Sequence, residues 1–572
     1  MRRSFVRMCL FASAITMGSV TASAQRRPKP KPPTAPKAQE IELDEPAKPG
    51  PGQPKVVDNS PPPTAGQMTE QAAQAKRLFD GEKWSEAALA LYRVYKGETG
   101  DDEGNKQLAQ YHLAICLYRL KFYQAAYAYF SEISDKPNHL KFNETLLWLS
   151  KLATDLPEPA DIVERVGKYN DEQIARFNNP NQRDLFWQLN YLLGRYKYRN
   201  RQYEEALTLF GKVARESKYY VQAQFFSGIS NVQLRNSVPA VQSFQRIVGA
   251  IDEGVEGVDD ETRMRDLAYL SMARTYYSAS IRLDENNAPT IDSQKLSAAV
   301  KYWNKVDVAS EYWLDGLFEE SWAYFMAGDY SHALGNIHTI EAPYFPNSYY
   351  PEAGVLKSVI YFANCQYDDA TGIVAKFQLK YQPIFNDLSD VMKRFKGDNQ
   401  EEAFYKFLKD VRDGKADLKA SVKPIVKNAL SDRQLLRNLE YVAALDKEAG
   451  RFKSASQNFQ SSTLGGDVKD ALQLARDIAV RNAGQLAKDR YQRNLDELNE
   501  HLRDSSKILI DITAAQRNQL DQAIAGSQVS REESKANIVK PDEEHVIWPF
   551  DGEYWRDELG FYRQTITSKC GR

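Results

Sequence analysis

Small and large side chains return at a fixed interval in this chain. In LLGRYKYRNRQYEEALTLFGKV, residues 192–213, Gly194 and Ala206 stand inside two apolar runs, followed by Phe210 and Val213. Thirty-four residues on, Gly228, Ala240, Phe244 and Ile247 come in the same order. Helix-pair geometry accounts for the interval. Two antiparallel helices joined by a short turn approach closely only where both carry small side chains. A large residue four positions after the second small one fills the space beside the next pair. One pair alone leaves an apolar face bare, so pairs must stack.

The pattern extends in both directions. Ala75, Ala87, Leu91 and Val94 fit it, as do Ala114, Ala126, Phe130 and Ile133. Downstream, Ala273, Ala299, Trp303 and Val306 fit, with an insertion, SASIRLDENNAPTID, between the two helices. Ala333 and then Ala370 continue it. Two units are degenerate. Trp148 and Ala160 keep the spacing, but Trp148 is large where a small residue is expected. Ala443, Ala455 and Phe459 mark another unit near 436–462. Residues 386–432 are helical by composition and carry no repeat that aligns.

These residues resemble the tetratricopeptide repeat, whose period is 34 residues. The resemblance implies an all-α, tetratricopeptide-like solenoid of stacked antiparallel helix pairs over 67–384, with a helical extension over 385–466. It also implies an inner groove lined by the first helix of each pair. Carried over by position, the groove residues are Tyr111, Ile115, Tyr118 and Arg119, then Tyr191, Arg195, Tyr198 and Arg199. Phe225, Ile229, Val232 and Gln233 follow, then Leu270, Arg274, Tyr277 and Ser278, then Phe318, Trp322, Phe325 and Met326. The set is aromatic, with arginines at one end and an apolar stretch at the other. Such a groove suits an extended peptide or a partner's helix with apolar anchors and acidic groups.

The flanks differ from the array. Residues 1–24 combine Arg2, Arg3 and Arg7 with a short apolar core and an Ala-Ser-Ala site, the pattern of a cleaved secretory signal peptide. Residues 25–66 are proline-rich, without apolar periodicity, and read as a disordered spacer or tether, the alternative being a ligand for a proline-binding partner. Over 467–527 there is no proline, and Leu495, Leu498, Leu502, Leu509 and Ile512 recur at three- and four-residue steps. That predicts a long helix with a coiled-coil-like seam. Asp467 caps its start, Gly484 marks a bend, and 467–525 either folds back on the array or pairs with a second copy. The tail, 528–572, turns aromatic at HVIWPFDGEYWRDELGFYR. It either docks on the body or recognises a partner.

Charge is nearly balanced, with 75 Lys and Arg against 77 Asp and Glu. A general nucleic-acid binder would carry a basic excess. Beyond the leader the cysteines are Cys116, Cys365 and Cys570. An odd, sparse set predicts no disulfide framework, and Cys116 and Cys365 read as small core residues. The six histidines show no helix-borne zinc spacing. No nucleophile elbow or phosphate-cradling loop occurs, so no catalytic, metal or cofactor site is expected. The expected function is non-catalytic: a periplasmic scaffold joining envelope proteins, with a layout similar to tetratricopeptide components of gliding-motility machinery. The alternatives are a cell-wall enzyme or its docking partner, or an outer-membrane assembly factor.

Overall fold

A computed structural model describes residues 62–283, 289–346, 348–395, 399–430, 432–524 and 546–570. The signal-peptide and most of the linker readings lie outside these residues. What is described is all-α except for one two-stranded antiparallel hairpin, Ile281–Leu283 against Pro289–Ile291, which is built from the predicted insertion.

Helix pairs form where the small–large pattern places them. They are α1 (Glu70–Asp80) with α2 (Trp84–Tyr95), and α3 (Glu103–Arg119) with α4 (Tyr123–Ser134). After a degenerate unit come α8 (Arg183–Arg199) with α9 (Tyr203–Phe210), and α10 (Tyr220–Gln233) with α11 (Ser237–Asp252). Then follow α12 (Glu261–Ser280) with α13 (Ser293–Trp303), α14 (Trp313–Ala327) with α15 (Tyr330–Ile340), and α16 (Pro351–Ala363) with α17 (Tyr367–Lys393). The turns within six of these pairs are built alike. In each, a residue just past the first helix is left-handed, the second one at Glu82, Lys121, Arg201, Arg235 and Cys365 and the first at Gly328. The next amide reaches back to a carbonyl five residues earlier, as Phe122 does to Leu117 and Gln202 to Lys197. This is the Schellman closure, which satisfies the last carbonyls of the first helix.

The pattern alanines, among them Ala126, Ala206, Ala240 and Ala333, are fully buried. The large residue does more than the sequence suggested. Phe210 and Phe244 close on the glycine of their own pair: a methyl group on Gly194 or Gly228 would lie 2.6 or 2.4 Å from the ring. Phe210 also stacks on Phe226 of the next pair, and Phe130 stacks on Trp148, with centroids 5.9 and 5.8 Å apart. Trp148, on α5 (Thr145–Asp155), thus occupies its large-for-small position by lying flat on the preceding unit. The rest of that unit collapses into the 3₁₀ turn Glu158–Ala160 and two short helices, α6 (Ile162–Val166) and α7 (Asp171–Ala175). Ala160 therefore sits in a turn and not on a second helix.

Beyond the array come α18 (Gln400–Arg412), α19 (Lys423–Ala429), α20 (Arg433–Lys453), the single turn α21 (Gln457–Gln460), and α22 (Thr463–Ile524). The unit expected near 436–462 is not a helix pair. Ala443 is exposed, whereas Tyr441, Val442 and Leu445 are buried.

The helix α22 is 62 residues long and runs without a break, roughly 90 Å. It starts before the predicted cap. Asp467 lies inside it and accepts a hydrogen bond from Tyr92 Oη at 2.7 Å. At Gly484, where a bend was expected, the helix continues. A side chain there would strike the Glu401 carbonyl of α18, so the glycine permits close approach. Along its length α22 enters successive cores. Leu464, Val468 and Leu472 join the array, Ala483, Ala487 and Tyr491 join α18 and α19, and Leu498 and Leu502 join Phe377 and Tyr381 of the last pair. The predicted seam is thus buried within the chain, with Leu509 half-buried. The helix links the first pair, through Tyr92 and Lys96 on Asp467, to the last, through Gln378 on Ser505 and Ser506.

Candidate functional site

The sequence-predicted groove residues all lie on the first helices of their pairs, and most are already engaged. Tyr111, Tyr191, Arg195, Tyr198, Phe225, Phe318 and Trp322 are buried. Tyr111 Oη accepts from Trp148 Nε1 at 3.0 Å, Tyr191 stacks on Tyr219, Tyr198 meets Phe226 edge-on, and Phe318 packs on Tyr350. These rings fill the seams between pairs. Tyr277 packs on Trp303. Tyr118, Arg119 and Phe325 keep more exposure. Tyr118 Oη donates to Asp155, Arg119 lies over Trp84, and Phe325 meets Trp322 edge-on.

Three of the four predicted groove arginines already meet carboxylates of the chain itself. Arg195, Arg199 and Arg437 converge on Glu158, and Arg274 makes a two-pronged contact with Glu319 at 2.6–3.0 Å. Arg437 comes from α20. That helix also seats buried Glu448 on the N-terminus of α4, accepting from the Gln124 amide at 3.0 Å, while Tyr441 Oη donates to Gln124 at 2.8 Å. The chain thus lays its own helix beside Arg195 and Arg199. Burial pushes the Glu448 carboxyl up to about 7, against the downward pull of the amides it accepts from.

A wide cleft lies at the far end of the array. It encloses about 1290 Å³ and is lined by Tyr349, Phe377 and Tyr381, with Lys357, Lys376 and Lys380 among its charged residues. Ser421 and Ile425 border it from the extension, and Phe550 and Tyr562 from the tail. Lys357 pairs with Glu341 at 2.7 Å, and Lys376 and Lys380 are exposed. Glu341, Asp368 and Asp369 line it too, so the aromatic floor and mixed-charge walls suit a segment with apolar anchors and charged groups.

The tail is a strap across α15, α16 and the start of α17. Cys570 forms a disulfide with Cys365, 205 residues earlier. This overturns the reading of Cys365 as a core residue. It ends the first helix of its pair at φ 57°, where its side chain faces the strap. Cys116 is buried and free, as expected. The Gln564 amide donates to the Ser331 carbonyl at 3.2 Å, and the Lys569 amide to that of Asn364 at 2.8 Å. Phe550, Tyr554 and Tyr562 surround His338 at 4.7–5.0 Å. Gly335 leaves room for the Tyr562 carbonyl, which a side chain there would strike. Docking is only half of the tail's arrangement. Leu559 and Ile566 are buried, whereas Trp548, Trp555 and Phe561 are 77, 57 and 64% exposed. The sequence flagged the rings, and the disulfide, which needed the fold to bring its ends together, escaped it.

Among the described residues no group of histidine, cysteine and acidic side chains is placed to hold a metal ion. No helix among them is long and apolar enough to cross a membrane. No protein-family model matches the chain, and no curated protein matches it. Among solved structures it is similar to the apo form of RapI, at 10% identity over 71% of this chain and 97% of that one, TM-score 0.29. It is also similar to a Rap protein complexed with competence and sporulation factor, at 11% identity over 76% and 98%, TM-score 0.24. A circular tandem repeat protein aligns at 12% identity over 80% and 97%, TM-score 0.11. Superpositions this loose say nothing about what the chain binds.

Proposed function

We propose that this chain is a non-catalytic scaffold, exported to the periplasm of a bacterium, that holds envelope proteins together by docking a partner's segment in the tail-bordered cleft. The observation that carries the reading is the strap. It is anchored to the body by a disulfide and by backbone hydrogen bonds, so the cleft edge and the rings beside it are pre-organised for binding. A disulfide across the fold suits an oxidising compartment, in line with the signal-like leader. Tyr118, Arg119 and Phe325 offer further contact along the array, and the layout points to gliding-motility machinery as the setting.

A photo-crosslinking residue at position 380, in living cells, tests the reading. The expected result is covalent capture of envelope proteins that is lost when Tyr381 and Lys357 become alanine. A probe at position 86, on the opposite end, should capture none of them. Capture that ignores the cleft substitutions would overturn the docking assignment, and capture of cytoplasmic proteins alone would overturn the compartment.

A further inference from the structure

Three rings of the tail have work left over. Trp548, Trp555 and Phe561 are mostly exposed on a strap whose other side is pinned down. Rings held in place and turned to water are a ready platform for polyproline helices, which carry no internal hydrogen bonds and lose little entropy on docking. The same strip is acidic: Asp551, Glu553 and Asp557 are exposed, against the single Arg556.

The chain carries a segment of complementary chemistry. Residues 25–38, QRRPKPKPPTAPKA, hold five prolines with Arg26, Arg27, Lys29, Lys31 and Lys37 and no acidic residue. Proline rings match the aromatic surface, and the basic residues match the acidic rim.

Reach decides which copy supplies it. The described chain begins at the first pair, where the Gly66 amide donates to Asp102 at 2.7 Å. The strap lies on the last two pairs. The long helix spans that separation with about 50 residues between Asp467 and Gln516, which contacts Asp368 beside the strap; at 1.5 Å each this is roughly 75 Å. At the polyproline rise of about 3.1 Å per residue, the roughly 25 residues from position 37 to 62 reach about 78 Å, no more than the separation itself. A chain reaching its own strap would be stretched almost taut, which makes the effective concentration in cis very small. A second copy meets no such limit.

We propose that the aromatic strip Trp548–Phe561 binds the basic, proline-rich segment 25–38 of a second copy of this chain. The contact is head-to-tail, so it propagates into open chains or closes into rings, the smallest being a reciprocal pair. The proposal rests on the reading of this end of the array as a docking surface. It does not depend on which partner enters the cleft.

The test uses the oxidised protein from residue 25 onward and a labelled peptide of residues 25–38. Saturable binding is expected, weakened at least tenfold in W548A/W555A and further by added salt, and absent for a peptide with its prolines changed to alanine. Light scattering should show mass rising with concentration in the parent and not in a protein lacking 25–38. No peptide binding, or binding indifferent to the tryptophans, would overturn the proposal. So would a parent that stays monomeric, or association that survives loss of 25–38. The crosslinking at position 380 reads the cleft alone, so either result stands apart from the other.

Discussion

Gly194 and Gly228 show what side-chain size decides in this fold. Each faces a fully buried phenylalanine of its own pair, and each pairs across the turn with an alanine of zero exposure. Ala240→Leu or Gly228→Leu should therefore destabilise by about 1–3 kcal/mol through overpacking, read as a lowered midpoint in thermal or denaturant unfolding. A neutral result at both positions would break the register. These positions were legible in the sequence because the spacing is local. The pairing of Arg195 and Arg199 with Glu158 was not, because that carboxylate sits in a turn of a collapsed unit whose shape the repeat does not specify. Charge buried at this scale also sets a pH response. Burial raises the carboxyls of Glu448 and Glu320 to about 7, with hydrogen bonds from the Gln124 and Ala125 amides and from Asn336 opposing the shift. Below about 4.5 both are protonated whether the chain is folded or not. As pH rises toward 7 the unfolded chain gives up protons that the folded one keeps, so stability falls across that window and levels off above it. Melting temperature against pH should fall less steeply in Glu448→Gln and Glu320→Gln than in the parent. Parallel curves would contradict this.

Among the elements, the strap and the long helix both depend on contacts far apart in sequence. The array pairs could be drawn from the chain alone, since each is one period of the pattern. The start of α22 and the role of Gly484 could not, since its approach to Glu401 and the bond from Tyr92 to Asp467 join segments some 80 and 375 residues apart. Cys365 was misread for the same reason: an apolar helical run surrounds it, while its partner lies at the far end of the chain. Reduction, or Cys570→Ser, should free the end of the strap and leave the helices folded. Limited proteolysis should then cut within 546–570 several times faster, with unchanged circular dichroism. Equal cleavage in both states would mean that the hydrogen bonds and the His338 cage hold the strap unaided.

At the level of the whole molecule, the array is not an open superhelix waiting for a partner along its length. The helix α22 fastens its first pair to its last, and α20 brings Arg437 to the Glu158 that holds Arg195 and Arg199, so most of the reachable chemistry gathers at the cleft and strap. The all-helical, stacked-pair architecture was readable from the 34-residue interval. The closure was not, because an apolar seam at helical spacing says that a helix is covered and not by what. Bracing by α22 is the claim on which the docking surface depends. It is tested most directly by pulsed electron–electron spin-label distances between position 86 on the first pair and position 379 on the last, both exposed. The account predicts one narrow distance distribution that broadens in Asp489→Pro, an exposed mid-helix position where proline breaks the brace. A broad distribution in the parent, or a narrow one untouched by that substitution, would contradict it.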